Sequence, residues 1–364
     1  MHLPTWVRWL FGLTPEFIRH VSVAQPLTIG VIIPAHNESA HIAATIESVL
    51  EQSVPLKQII VVDDGSTDGT GDIARCYKEV MTVRPDRTQG SKPRAQNFGL
   101  QYVDTDVFVT IDADTLLERD AVEKILPYFY KAETASVCGS VIPRYIDTVW
   151  ERGRFIEYLF GSIVYKGAQN QLHAVLVSSG CFSMFRTSVV KRAGGFPPGT
   201  IAEDMDLTWQ LSKCGYRVYF HSDAHCFPIE PRTFGVFVAQ IDRWYRGMIQ
   251  NVMKHSFGKR KRLGFIIYWY IFDTTVMPVL MLAVGVAYFK QLNVAIALLV
   301  VTEVLMVAVP SLIKGYSLGR FWKTFTSLPA YFVLRPVNLY VFWRAIWREW
   351  IRGDRLVTWV KGHE

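Results

Sequence analysis

The sequence predicts an α/β fold: a doubly wound, parallel sheet followed by a small α-helical membrane region. Three observations carry the prediction. Apolar, β-branched runs alternate with helix-spaced segments across residues 28–260. One such run, Val107–Ile111, stops abruptly at Asp112-Ala113-Asp114. Residues 263–350 then carry apolar stretches far longer than any strand.

Residues 1–27 form a separate N-terminal segment. Trp6, Val7, Trp9, Leu10 and Phe11 suit an amphipathic helix, lying either in a membrane interface or on the folded domain. Arg8 interrupts its apolar part and no small-residue cleavage site follows, which argues against a cleavable signal. Leu27–Pro34 reads as the first strand, ended by a proline that cannot donate to a ladder. The loop His36–Glu38 leads to helical spacing over His41–Gln52, and Gln58–Val62 is the second strand. The loop 63–70 is acidic and contains glycine. As a calcium loop starting at Asp64 it would need Glu at the twelfth position, where Arg75 stands, and it holds neither G-x-G-x-x-G nor a Walker A sequence. An acidic turn of this kind can still accept a hydrogen bond from a nucleobase edge. Residues 71–80 read as a helix, Val80–Val83 as a strand and Arg94–Tyr102 as a helix.

Side chains alternate across a strand, so Asp112 and Asp114 point to the same side. Two hard oxygen ligands at a strand's carboxyl edge suit Mg²⁺ or Mn²⁺, which complete their shells with water and phosphate. That edge is also where ligands bind in open α/β sheets. The competing reading is an ordinary acidic turn.

Ser136–Val141 and Leu176–Phe185 read as further strands, the second containing Gly180, and residues 194–199 as a glycine-rich loop. Glu203 and Asp204 open the helix Met205–Lys213, where acidic residues also serve the helix dipole. A helix near 234–253 carries Gln240, Arg243 and Trp244 on one face and lies at the membrane interface. Residues 263–289 and 292–313 are each long enough to span a bilayer. Arg335-Pro336 breaks a third apolar segment, 327–347, and both its flanks are basic. An interfacial or re-entrant segment keeps those flanks in the cytoplasm, with the catalytic domain on the same side of a multi-pass cell-membrane protein. Glu303 lies deep enough in its span to imply an internal partner or a function, while Asp273 stands nearer the interface.

The net charge of +7 is partly gathered at Lys259-Arg260-Lys261-Arg262, beside the apolar runs. That placement suits contact with membrane lipids and not nucleic acid, which wants a basic face on the folded domain. Five scattered cysteines without a CxxC pair argue against a disulfide framework or a zinc site.

Pro34-Ala35-His36-Asn37-Glu38, Asp63-Asp64-Gly65-Ser66, Lys92, Asp112-Ala113-Asp114, Ser179-Gly180-Cys181, Glu203-Asp204 and Gln240-Ile241-Asp242-Arg243-Trp244 occur in this order. The set resembles the membrane-bound family 2 glycosyltransferases, the chitin, hyaluronan, poly-N-acetylglucosamine and cellulose synthases. The resemblance implies a GT-A domain over residues 28–260, a UDP-sugar donor, a divalent cation (Mn²⁺ or Mg²⁺) and a glycan or lipid-linked acceptor. It would place Asp63 and the loop from Pro34 through His36 to Glu38 around uracil, and Lys92 beside the nucleotide. Asp112 would meet the nucleotide-sugar, Asp114 the metal, and Asp204 would be the general base. Ser179, Gly180, Cys181, Glu203 and Gln240 would line the substrate, Arg243 would steady the diphosphate and Trp244 would stack under the acceptor sugar. In the tail 351–364, Trp359 and Lys361 look like remnants of a hyaluronan synthase gating loop. The chain departs from the family pattern at His36, where many relatives carry Tyr or Phe, and at Ala202, which replaces a Thr. It also has no counterpart of the family's two N-terminal spans. Extension of a β-linked glycan, transfer of a few sugars to a lipid or protein, and a catalytically silent scaffold all stay open here, as does assembly into a homo-oligomer.

Overall fold

The computed structural model describes residues 26–255, 261–275 and 292–356, with scattered positions between 276 and 291. The expected N-terminal amphipathic helix and Trp359 with its gating loop lie outside the described residues, as does most of 276–291 in the first expected span.

The strands are β1 (Ile29–Ala35), β2 (Gln58–Asp63), β3 (Val80–Val83), β4 (Val107–Ile111), β5 (Leu116–Leu117), β6 (Thr134–Val141), β7 (Phe182–Arg186) and β8 (Arg217–Phe227). They form one sheet in the order β3-β2-β1-β4-β7-β6-β8-β5. The first half, β3-β2-β1-β4, is parallel as expected. The second half corrects the expectation of a parallel sheet throughout: β7 runs antiparallel to both β4 and β6, and β5 antiparallel to β8. β1 does not end at Pro34. It continues to Ala35, because β4 pairs with it only as far as Ile32, so the missing proline N–H falls where β1 has one neighbour.

Helices α1 (Ile42–Leu50), α2 (Thr70–Arg75), α3 (Lys92–Leu100), α4 (Ala121–Ile125), α5 (Val149–Ile163), α6 (Tyr165–Gln171), α7 (Thr187–Arg192), α8 (Glu203–Lys213) and α9 (Phe234–Lys254) follow in chain order. Strand alternation sorts the core into two layers. Val31 and Ile33 pack with Ile42, Ile46 and Val49 of α1. Ile32 faces the other way with Ala95 and Leu100 of α3 and Leu207 and Leu211 of α8. Helices on both faces make the sheet doubly wound. α2 stops at Arg75, five residues short of expectation, because a turn at Tyr77–Val80 hands the chain to β3.

The expected strand 176–185 survives only as β7. Its first part is a loop whose polar backbone groups are satisfied by side chains: Trp209 Nε1 donates to Leu176 O, Lys166 Nζ to Val177 O, and Ser178 N to Thr208 Oγ1. Helix α10 (Lys261–Thr275) and helix α11 (Leu292–Ser317) occupy the two expected spans. Among the described residues, Val300–Ser317 is the stretch long and apolar enough to cross a membrane, with mean hydropathy 1.3. Helix α12 (Phe321–Ile346) runs unbroken through Pro329 and Pro336, which corrects the expected break at 335–336. Tertiary packing holds it. Leu334 and Val341 join a cluster with Phe237 and Ile241 of α9, and a Cβ on Gly153 of α5 would fall 3.0 Å from Ala330 O. Glu303 of α11 pairs with Arg335 of α12 at 2.7 Å, the internal partner its depth implied.

Candidate active site

Beyond the carboxyl ends of β1 and β4 lies a cavity of about 660 Å³. β4 is buried at all five positions and then turns out. Asp112 and Asp114 are half-buried on its rim while Ala113 between them is buried, with its carbonyl accepting from Thr45 Oγ1 at 2.8 Å. Thr115 N caps Asp112 O, which fixes the turn that presents both carboxylates.

Lys92, at the first position of α3, ion-pairs with Asp112, donates to Gly180 O at 3.4 Å and lies 4.0 Å from Glu203. Burial pulls the Lys92 ammonium down, but Asp112, Glu203 and Asp204 overcome it, and its pKa rises above the ordinary value. Glu203 responds in the opposite sense. Burial pushes it up to about 7, with Lys92 opposing and Asp204 adding to the rise. Asp204 is fixed by two backbone donors, Gly180 N at 3.0 Å on Oδ2 and Met205 N at 2.8 Å on Oδ1. A Cβ at Gly180 would lie 2.9 Å from Lys92 Nζ and 3.4 Å from Asp204 Oδ2, so a side chain there would displace the Lys92 ammonium.

Gln240, Arg243 and Trp244 face the same cavity from α9. Burial holds Arg243 below its ordinary value, against the field of Glu203, Asp112, Asp204 and Asp114, so this guanidinium shares one site with all four carboxylates. It stays charged throughout. Ser179, Cys181, Pro34, His36 and Glu38 complete the walls, with His36 Nδ1 bridged to Asp64 O at 2.8 Å.

One expected wall residue stands elsewhere. Asp63 is fully buried, its carboxylate taken by Ser66 N at 2.9 Å and Arg84 Nη1 at 2.7 Å, and the neighbouring Asp64 lines the cavity. Asp63 therefore holds the loop at Ser66 from behind the cavity wall. The motif gave adjacent aspartates, and strand parity does not distinguish them: β2 is buried from Ile59 through Asp63, and Asp64 is buried as well. Sequence reasoning also missed Tyr158, Glu157 and Glu230, which line the same cavity. The first two share a helix face with Arg154, a polar i, i+3, i+4 group that marks the face.

The donor set fits a divalent cation bound through few protein ligands. Asp112 is engaged by Lys92, Asp114 stands at the rim, and among the described residues no group of three or more His, Cys, Asp or Glu side chains is placed to hold a metal ion by itself. A cation held here would take its remaining ligands from phosphate and water, the habit of Mg²⁺ and Mn²⁺.

Comparison with known proteins finds similarity in sequence and in fold. Residues 30–194 match the model of the glycosyl transferase family 2 domain. A poly-beta-1,6-N-acetyl-D-glucosamine synthase of Staphylococcus aureus (strain COL) is 28% identical over 273 residues, covering 73% of this chain and 65% of the relative. The synthase of Staphylococcus epidermidis is 28% identical over 251 residues, covering 67% and 60%. The chain thus spans less than two thirds of the length of these curated relatives. Among solved structures, the mannosyltransferase PcManGT from Pyrobaculum calidifontis, in complex with GDP-Man and Mn²⁺, superposes with a TM-score of 0.62 at 21% identity. That match covers 91% of this chain and 92% of the other, and it shares the fold.

Proposed function

We propose that this chain is a family 2 glycosyltransferase, the family whose model matches residues 30–194, and that it transfers a hexose or N-acetylhexosamine from a UDP-sugar, with inversion, to a growing β-linked glycan at a membrane. One observation carries this reading: Asp112, Asp114, Asp204 and Arg243 converge on a single cavity that the exposed indole of Trp244 also lines. A scaffold without chemistry has no use for four such groups in one cavity.

Cleavage of the donor's anomeric bond leaves negative charge on the diphosphate. Arg243 and Lys92 supply fixed positive charge there without reorganisation. Asp114 would hold the divalent cation, which would supply Lewis-acid stabilisation of the same leaving group. Asp204, aimed by Gly180 N and Met205 N, takes the proton of the attacking hydroxyl. The acceptor sugar rests its C–H face on Trp244. A single displacement turns an α-linked donor into a β-linkage. The apolar stretch Val300–Ser317 and the basic residues that follow it, Arg320 and Lys323, support a membrane setting with the active site on the cytoplasmic side.

The test incubates purified protein with radiolabelled UDP-glucose, UDP-N-acetylglucosamine, UDP-galactose and GDP-mannose, each with Mn²⁺ or Mg²⁺, and sizes the products. A metal-dependent, labelled glycan from a UDP-sugar is expected. Label transferred only from GDP-mannose would overturn the donor assignment, and a single-sugar product would overturn polymer extension.

A further inference from the structure

Behind Trp244 lies a buried charge that the proposed reaction does not use. Arg154 of α5 is 2% exposed, and its guanidinium carbon sits 4.4 Å from the Trp244 ring centroid. The same group donates to Glu157 at 2.6 Å, to Tyr158 OH at 2.7 Å and to Glu230 at 3.2 Å, and Tyr158 OH donates in turn to Glu230 at 2.7 Å. Asn338 Nδ2 of α12 reaches Glu157 at 3.1 Å and ties the cluster to the C-terminal helices. Glu157, Tyr158, Glu230 and Trp244 all line the cavity, so Arg154 stands behind the wall they form.

We propose that Arg154 is a positioning residue for the acceptor, fixing the Trp244 indole from behind and holding Glu157 and Glu230 beside it, so that this subsite takes an uncharged sugar end and refuses an anionic one. The inference rests on the acceptor reading above and names its substrate class. Planarity matters here. A guanidinium stacks on an indole while its edge donates to carboxylates, which an ammonium cannot do in one pose. The cluster carries two carboxylates against one guanidinium, leaving net negative charge around the exposed indole face. Of the other cations that line the cavity, Lys166 donates its Nζ to Val177 O at 2.5 Å, Lys92 pairs with Asp112, and Arg243 stands in the field of Glu203, Asp112, Asp204 and Asp114. Sugar hydroxyls can donate to such carboxylates, whereas a uronate or phosphate would meet like charge.

The experiment measures binding to the full chain, by calorimetry, of a β-linked N-acetylglucosamine tetrasaccharide and of one alternating with glucuronic acid, alongside UDP with Mn²⁺. The neutral oligosaccharide should bind wild type and the uronate should not. Arg154→Lys should weaken the neutral oligosaccharide about tenfold, the scale of a desolvated cation–π contact, with UDP affinity within about twofold. Glu230→Gln, which keeps a partner for Arg154, should admit the uronate. Equal binding of both oligosaccharides to wild type, unchanged acceptor affinity in Arg154→Lys, a parallel loss of UDP affinity, or no gain of uronate binding in Glu230→Gln would each overturn it. Wild type that consumes a UDP-sugar yet binds neither oligosaccharide would sink this subsite and leave the transferase reading standing.

Discussion

Replacing Asp204 by Asn isolates the proposed general base. The carboxylate accepts two backbone donors, Gly180 N and Met205 N, on different oxygens. An amide keeps one acceptor, so one N–H loses its partner, at a cost of about 0.5–1.5 kcal/mol. Loss of the charge in the first turn of α8 adds about 0.3–1 kcal/mol. A protein of ordinary stability, about 5–15 kcal/mol, stays folded under that load. Proton transfer by a positioned group is worth about 10²- to 10⁴-fold in rate. At about 1.36 kcal/mol per tenfold, the barrier should rise by roughly 2.7–5.4 kcal/mol. Turnover and stability therefore separate cleanly. The assay compares transfer rate, UDP affinity and thermal midpoint in detergent for wild type and variant. Turnover should fall at least about a hundredfold while UDP binding persists through Lys92, Arg243 and Asp114. Transfer within a few-fold of wild type would refute the assignment and pass the role to Glu203.

Asp114→Ala should abolish the increase in UDP affinity that Mn²⁺ or Mg²⁺ brings. Unchanged metal enhancement in a titration would make Asp114 a turn residue only. For Glu203 the sign follows from its raised pKa: the folded form keeps a proton up to about 7 that the unfolded chain releases near 4.5. The stability it contributes is present below that lower value and is lost as pH rises through about 7. Glu203→Gln should therefore gain thermal stability relative to wild type as pH goes from 5 to 8, and a pH-independent difference would contradict the burial argument. Glu349→Ala breaks a pair with Arg246 at 2.6 Å in which Arg246 is 3% and Glu349 1% exposed. It should cost about 3–5 kcal/mol in denaturant unfolding. A loss under about 1 kcal/mol, the level of an exposed pair, would show that the tail does not depend on this clamp.

Much of the site was legible because its signals are local. Asp112 and Asp114 announce themselves at the end of an apolar run, Glu203 and Asp204 at a helix start, and Gln240, Arg243 and Trp244 by helical spacing. The half-sheet β3-β2-β1-β4 was readable for the same reason. What escaped depends on partners far along the chain. Residues 176–181 look apolar enough for a strand, yet Trp209, Lys166 and Thr208 supply the hydrogen bonds a ladder would have given. Pro336 reads as a break, yet α12 packs tightly enough on α5 and α9 to run through it. Asp63 and Asp64 are adjacent in every motif, and only the fold turns one toward Arg84 and the other toward the cavity. Arg154 sits 90 positions from Trp244, and no window of sequence joins them.

The most direct test of the central claim is the anomeric configuration of the first bond made. UDP-N-acetylglucosamine, α-linked in the donor, is supplied with Mn²⁺ and a neutral oligosaccharide, and the new linkage is read by proton NMR. A single displacement assisted by Asp204 predicts a β-linked residue at the non-reducing end. An α-linked product, or release of UDP with free sugar and no new glycosidic bond, would contradict it.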